Sequence, residues 1–161
     1  MRIPAPSSVL LAATMMCAPA AAQARDWRHV MTVQNAATGE NVAVMFVDID
    51  SFERQPGQFP RGRALIVLTH VTRADFAALD AVYEVDCAAH RRRGVESFVR
   101  DADGKVLLTT GHEHDWKVTN TEDWFDLEFA ICGTRKAYGE TSYGAGLPIA
   151  EGRAILAGAK P

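Results

Sequence analysis

The chain has 161 residues, of which 48% are hydrophobic and 23% charged, with a formal net charge of −3. That balance belongs to a globular domain and excludes a fibrous or intrinsically disordered chain. The acidic surplus also argues against a nucleic-acid binder, which ordinarily carries an excess of Lys and Arg.

Residues 1–24 read as a secretory signal peptide: Arg2 gives a short basic start, residues 9–16 an apolar stretch, and residues 18–24 a run of small side chains. Cleavage after Ala22 or Ala24 satisfies the small-x-small rule, and the apolar stretch is too short for a retained transmembrane helix. Cys17 raises a lipoprotein reading, but Thr14, Met15 and Met16 before it lack the small residue that lipidation requires immediately ahead of the cysteine. Export is therefore the expectation, to the periplasm or the cell surface. The mature chain then sets sixteen basic residues against twenty acidic ones, a net charge of about −4.

Two cysteines remain, Cys87 and Cys132. An even count in an oxidising compartment reads as a disulfide. Such a bridge closes a loop of about 46 residues, and the chain-entropy estimate for that length is roughly 4 kcal/mol. A nucleophilic Cys87 would need a free thiolate with His90 as its base, and a metal-ligating one would need a second cysteine close in sequence.

Taken in chain order, residues 27–34 (WRHVMTVQ) alternate as a half-buried strand with Trp27, His29, Met31 and Val33 on one side. A turn around Gly39 leads to an apolar strand over residues 42–47 that ends in Asp48, Ile49 and Asp50. Residues 55–63 hold two prolines and two glycines and predict a loop. Residues 63–73 (RALIVLTHVTR) form the strongest strand signal, followed by a loop or one helical turn over 74–81. Further strands are expected at 82–87 and 96–100. Asp101, Ala102, Asp103 and Gly104 predict a hairpin with a tight primed turn, and residues 105–110 its return strand.

At Asn120, Thr121, Glu122 and Asp123 the pattern changes to a polar cap with early acids, predicting a helix of about three turns that stops at Gly133 and carries Cys132 in its last turn. Residues 134–161 form a tail, Gly-rich and loose over 138–146, with a short peripheral helix over 148–157. The expected fold is α+β: an antiparallel sheet of about six strands with one C-terminal helix packed on it and tied to it by the disulfide.

These elements, in this order, resemble the bacterial surface-adhesin protein E family. The residues that carry the resemblance are Trp27 leading the first strand, Val47 and Asp48 with Ser51 close behind, Glu84 to Cys87 followed by Arg91, Arg92 and Arg93, the DADG turn, and the helix from Trp124 to Cys132. The match spans roughly residues 27–133. It implies the same sheet, with the helix held by a Cys87–Cys132 bridge, and binding of host extracellular-matrix proteins.

Three clusters are candidates for function. Arg91, Arg92 and Arg93 offer a grip for an extracellular-matrix protein or another anionic partner, and are expected on a turn because three consecutive strand residues cannot share one face. Against that, a solvated loop would pair them with Asp86 or Glu96. His112 and His114 project to one side of an extended segment and can chelate a metal if His29, His70 or a carboxylate completes the set; haem ligation by an imidazole is a weaker variant of the same reading. Asp48 and Asp50 offer an acid pair, although carboxylates closing a strand more often form turns. Trp116, Trp124, Phe125 and Phe129 are expected in the core. No Gly-x-Ser-x-Gly elbow, His-Glu-x-x-His, phosphate loop or dinucleotide fingerprint occurs. The expectation is a non-catalytic binding module without a cofactor, and the alternative a periplasmic metal- or haem-associated protein.

Overall fold

The computed structural model describes residues 25–69, 75–119, 122–134 and 136–161. The expected signal peptide, its Cys17, His70 and the cap at Asn120 and Thr121 lie outside those residues. Among the described residues, seven strands and two helices follow one another as β1 (Trp27–Gln34), β2 (Asn41–Glu53), β3 (Arg61–Leu68), β4 (Ala78–Asp86), β5 (Arg91–Arg100), β6 (Val106–Thr110), β7 (Lys117–Val118), α1 (Glu122–Cys132) and α2 (Ile149–Leu156). The sheet is an antiparallel meander in the order β1 to β6, and β7 continues beside β6 along the same edge of β5.

Alternation sends each strand's side chains to two faces, and both faces carry apolar residues. One face is covered by α1, which packs Leu127, Ala130 and Ile131 on Met45, Val47, Ala64, Ala81, Tyr83 and Val85. The other is covered by α2, whose Ile149 and Ile155 meet Trp27, Val44, Phe46, Leu65 and Val67. Both helices approach where a side chain is missing from the contact. A Cβ at Gly62 would stand 2.7 Å from Ile131 Cγ1, and one at Gly152 would stand 2.7 Å from Val67 Cγ2.

The short helix expected over 148–157 is present as α2, but it is not peripheral: it packs on the sheet as the second helix of the core, where one packed helix was expected. Its propensity signal is short, but its apolar residues close a core that the strand pattern had already left open on that side. Nor is the segment before it loose. Gly139 and Tyr143 donate backbone N–H groups to the carbonyls of His29 (2.7 Å) and Trp27 (3.0 Å), and Ser142 bridges Arg28. Tyr143 also stands edge-on to Phe46, with ring centroids 5.0 Å apart. The tail thus covers the β1 edge of the sheet.

Several boundaries also move. A bulge between His29 and Met31 splits the side chains expected on one side of β1: Trp27 joins the α2 core and Met31 the α1 core. β4 begins at Ala78, inside the stretch expected to be loop, because its first residues are buried against both neighbouring strands. β5 begins at Arg91 rather than Glu96, so the basic run is strand and not turn. The DADG hairpin is present, but as a wider loop in which Asp101 N–H pairs with the Lys105 carbonyl (3.1 Å) and Gly104 takes φ +82°. Asp101 Oδ1 accepts the N–H groups of Asp103 (3.0 Å) and Lys105 (2.8 Å), which favours this form over a two-residue primed turn.

α1 ends at Gly133, whose φ of +71° is the left-handed conformation of a helix stop. Cys132 is joined to Cys87 with 6.1 Å between their Cα atoms. No basic residue lies in the last turn of α1. Its exposed carbonyls are met instead by Arg54, whose Nε donates to Ile131 (2.7 Å) and Nη2 to Ala130 (2.8 Å). Glu128, 3% exposed, accepts a hydrogen bond from the Thr119 hydroxyl and lies 2.7 Å from His90 Nδ1.

Replacing both Cys87 and Cys132 by Ser should lower stability by roughly 3–4 kcal/mol, read as a fall in the urea midpoint without a change in the native circular dichroism. Gly152→Ala should destabilise by about 1–3 kcal/mol despite the better helix propensity of Ala, worth about 1 kcal/mol, because buried Val67 cannot withdraw from the new methyl.

Candidate functional site: the uncovered half of the α2 face

α2 is eight residues long and covers only the part of its face around Phe46 and Val67. Further along the same face, β2 to β5 replace apolar residues with charges that stand in register. Glu53 is opposite Arg61, Arg61 opposite Glu84, and Glu84 opposite Arg93, so the sign alternates across four strands. Glu84 accepts Arg61 Nε on Oε1 (2.8 Å) and Arg93 Nε on Oε2 (2.7 Å). Burial pushes the Glu84 carboxyl upward, but its two guanidinium partners outweigh that and hold it below the usual carboxylate range. Asp86 pairs with Arg91 (2.8 Å) and is held low in the same way. Asp80, fully buried, lies between Arg63 (2.6 Å) and Arg100 (2.6 Å).

At the end of this charged field sits Trp116. Arg91 and Arg93 lie over its ring at 5.1 and 4.7 Å from the centroid, and Phe59 meets it edge-on at 4.8 Å. Phe59 is 43% exposed. Trp116 therefore does not lie in the core, as its apolar character suggested; the core expectation holds for Trp124, which packs on Tyr83 at 5.6 Å. Arginine stacking holds the indole on the surface, where a free aromatic would otherwise have several rotamers to lose on binding.

Beside the ladder, Arg25, Asp48, Asp50, Ser51, Arg61 and Arg63 border a pocket of about 230 Å³. Asp48 is 3% exposed and accepts the backbone N–H groups of Asp26 and Asp50, each at 3.3 Å. Burial raises its pKa. The expected Asp48 and Asp50 pair thus shares a pocket, but the two differ in setting: Asp48 is buried and Asp50 faces solvent.

The arginine run is divided between two faces. Arg91 and Arg93 belong to the α2 face, whereas Arg92 points to the α1 face, where its guanidinium lies 3.2 Å from the Trp124 ring centroid and 5.1 Å from that of Tyr83. Burial there lowers its pKa. The Asp86 partner anticipated for the run is found on Arg91; Glu84, not Glu96, serves Arg93.

His112 and His114 lie exposed in the connection from β6 to β7, with ring centroids 5.7 Å apart. His29 is on β1, at the opposite edge of the sheet, and bonds Thr32 at 3.0 Å. Among the described residues no group of three or more His, Cys, Asp and Glu side chains is placed to hold a metal. Cys87 is consumed by the disulfide, and His90 faces Glu128 rather than a thiol.

The ladder and the Phe59–Trp116 pair were not anticipated. A signal for the ladder is present in the sequence: Arg61 and Arg63, Glu84 and Asp86, and Arg91 and Arg93 each repeat one sign at the two-residue period of a strand face. Phe59 and Trp116 are 57 residues apart in two connections, and no local pattern joins them.

Because folding raises the pKa of Asp48, the folded state holds that proton more tightly than the unfolded chain, and this group costs stability as pH rises through and above the ordinary carboxylate range. Asp48→Asn keeps an acceptor for both backbone N–H groups without the charge. The variant should match wild type near pH ~3 and become progressively more stable than it toward pH ~7, measured by urea unfolding across that range.

No family model matches the chain, and no curated protein and no solved structure matches it.

Proposed function

We propose that the protein is an exported, non-catalytic binding module that meets its partner through the uncovered half of the α2 face. The observation that carries this reading is the surface pair of exposed Phe59 and half-buried Trp116, held by Arg91 and Arg93 at the end of an in-register field of charges. Trp and Arg are the side chains most often found at the energetic centre of protein interfaces, and rigid aromatic anchors lose little entropy on docking. Arg91, Arg93 and Arg61 already have carboxylate partners, so the surface presents both signs rather than an anion trap. A partner with a mixed polar surface suits it better than a sulfated glycan or a lipid phosphate. The resemblance to the surface-adhesin protein E family makes an extracellular-matrix protein the first class to test. Adhesion requires the cell surface, whereas a periplasmic location would move the same surface toward an envelope protein.

Biolayer interferometry of the mature chain against a panel of immobilised extracellular-matrix proteins tests the reading. Trp116→Ala should weaken the strongest interaction by about thirtyfold. The Arg91→Ala, Arg93→Ala double variant should weaken it comparably, while Arg92→Ala should leave it intact because that side chain is on the other face. Full affinity in the Trp116 variant, or equal losses in all three, would remove this surface as the contact.

A further inference from the structure

The α1 face is also covered only in part, and its open half differs in chemistry from that of the α2 face. Ile66, Leu79, Val99 and Leu108 stand opposite one another across β3, β4, β5 and β6, forming an apolar row about 14 Å long at the usual strand spacing. Leu108 is 54% exposed. The next row offers the hydroxyls of Ser97 and Thr110, themselves paired across β5 and β6. A pocket of about 240 Å³ takes in Ile66, Leu79, Ser97 and Thr110 and is bordered by Trp124, Arg92, Glu113 and Lys117; Val99 and Leu108 continue the row beyond it across β5 and β6.

Arg92 is the unusual member. Arg61, Arg63, Arg91, Arg93 and Arg100 each bond a carboxylate. Arg92 instead has a buried Nε without a hydrogen-bond partner among the described residues, and its guanidinium stacks on the faces of Trp124 and Tyr83. The neighbouring carboxylate, Glu113, is committed elsewhere: Oε1 accepts Lys117 Nζ (2.5 Å) and Oε2 accepts the Gly94 N–H (2.9 Å). A guanidinium presents five N–H donors in a planar fork that matches a carboxylate, and a desolvated one without an acceptor is costly.

We propose that this groove binds a small amphipathic monocarboxylate, its carboxylate on Arg92 and its alkyl chain along the Ile66, Leu79, Val99 and Leu108 row. Charge chooses the head group: Lys117, the other cation bordering the pocket, is paired with Glu113, whereas no carboxylate among the described residues bonds Arg92. The row chooses the tail, because it leaves water against apolar side chains that a chain of methylenes covers at about 0.8 kcal/mol per CH₂. The site is on the face opposite the proposed partner surface and is independent of it.

Titration calorimetry of the full chain with sodium octanoate, and with octanamide as its uncharged counterpart, tests the assignment. Octanoate should bind with a Kd below about 1 mM, and octanamide at least about tenfold more weakly. Arg92→Gln should remove that preference without improving octanamide binding. Leu108→Asp, at a position exposed enough to leave the fold intact, should weaken both ligands and keeps the test alive if the Arg92 variant fails to fold. The assignment is overturned by absence of octanoate binding at 1 mM, by equal affinity for the two ligands, or by an unchanged octanoate affinity in either folded variant. Concentration-dependent self-association of the wild type that Leu108→Asp abolishes would also overturn it, assigning the row to a second copy of the chain.

Discussion

A single sheet with apolar side chains on both faces must be covered twice, and two short helices, α1 and α2, cover it among the described residues. Eleven helical residues span about 16 Å and eight about 12 Å, whereas six strands side by side span about 24 Å. Neither helix can cover its face. Each face therefore has a dry half beneath a helix and an open half whose side chains must be compatible with water by other means. On the α2 face the means is in-register pairing of opposite charges, from Glu53 through Arg61 and Glu84 to Arg93. On the α1 face an apolar row stays open, bordered by the Ser97 and Thr110 hydroxyls, Arg92 and the Glu113–Lys117 pair.

An eleven-residue helix is marginal in isolation, so α1 depends on what fastens it. The disulfide joins its last turn to the residue after β4, Arg54 just past the end of β2 satisfies its final carbonyls, and buried Glu128 reaches His90 in the β4–β5 turn and Thr119 just past β7. These contacts are all at the C-terminal half of the helix. Its beginning is held by Trp124 against Tyr83 and Arg92. The fastening that orders α1 thus also orders the wall of the open groove. α2 is fastened differently, by close approach through Gly152 and by the 138–146 segment running along β1.

Strand periodicity made most of the sheet legible, because β-branched runs such as 63–68 have no competing reading, and cysteine parity, read with the expectation of export, sufficed for the bridge. The second helix was legible as an element but not as a core element: its eight residues carry three buried positions, Ile149, Gly152 and Ile155, and one of them is a glycine. The bulge at His29 and Met31 was hidden because one extra residue inverts a face without altering composition. Ala78 to Ala81 looked like a connection since Ala and Asp have poor strand propensity; tertiary burial overrides that. The Phe59–Trp116 pair depends on two loops meeting, which no local pattern encodes.

The arginine run shows how far a local motif can mislead about a surface. Read as a block, three consecutive cations suggest one basic patch. Placed on a strand, they become two different groups, because period-two alternation gives each face whatever the neighbouring strand supplies. β4 supplies Glu84 and Asp86 to Arg93 and Arg91, leaving those side chains neutralised and available to hold Trp116. To Arg92 it supplies Tyr83, an aromatic face without an acceptor. The guanidinium of this run that bonds no carboxylate among the described residues therefore lies on the α1 face, away from the Phe59–Trp116 pair, and removing all three arginines together would merge two surfaces whose chemistry differs.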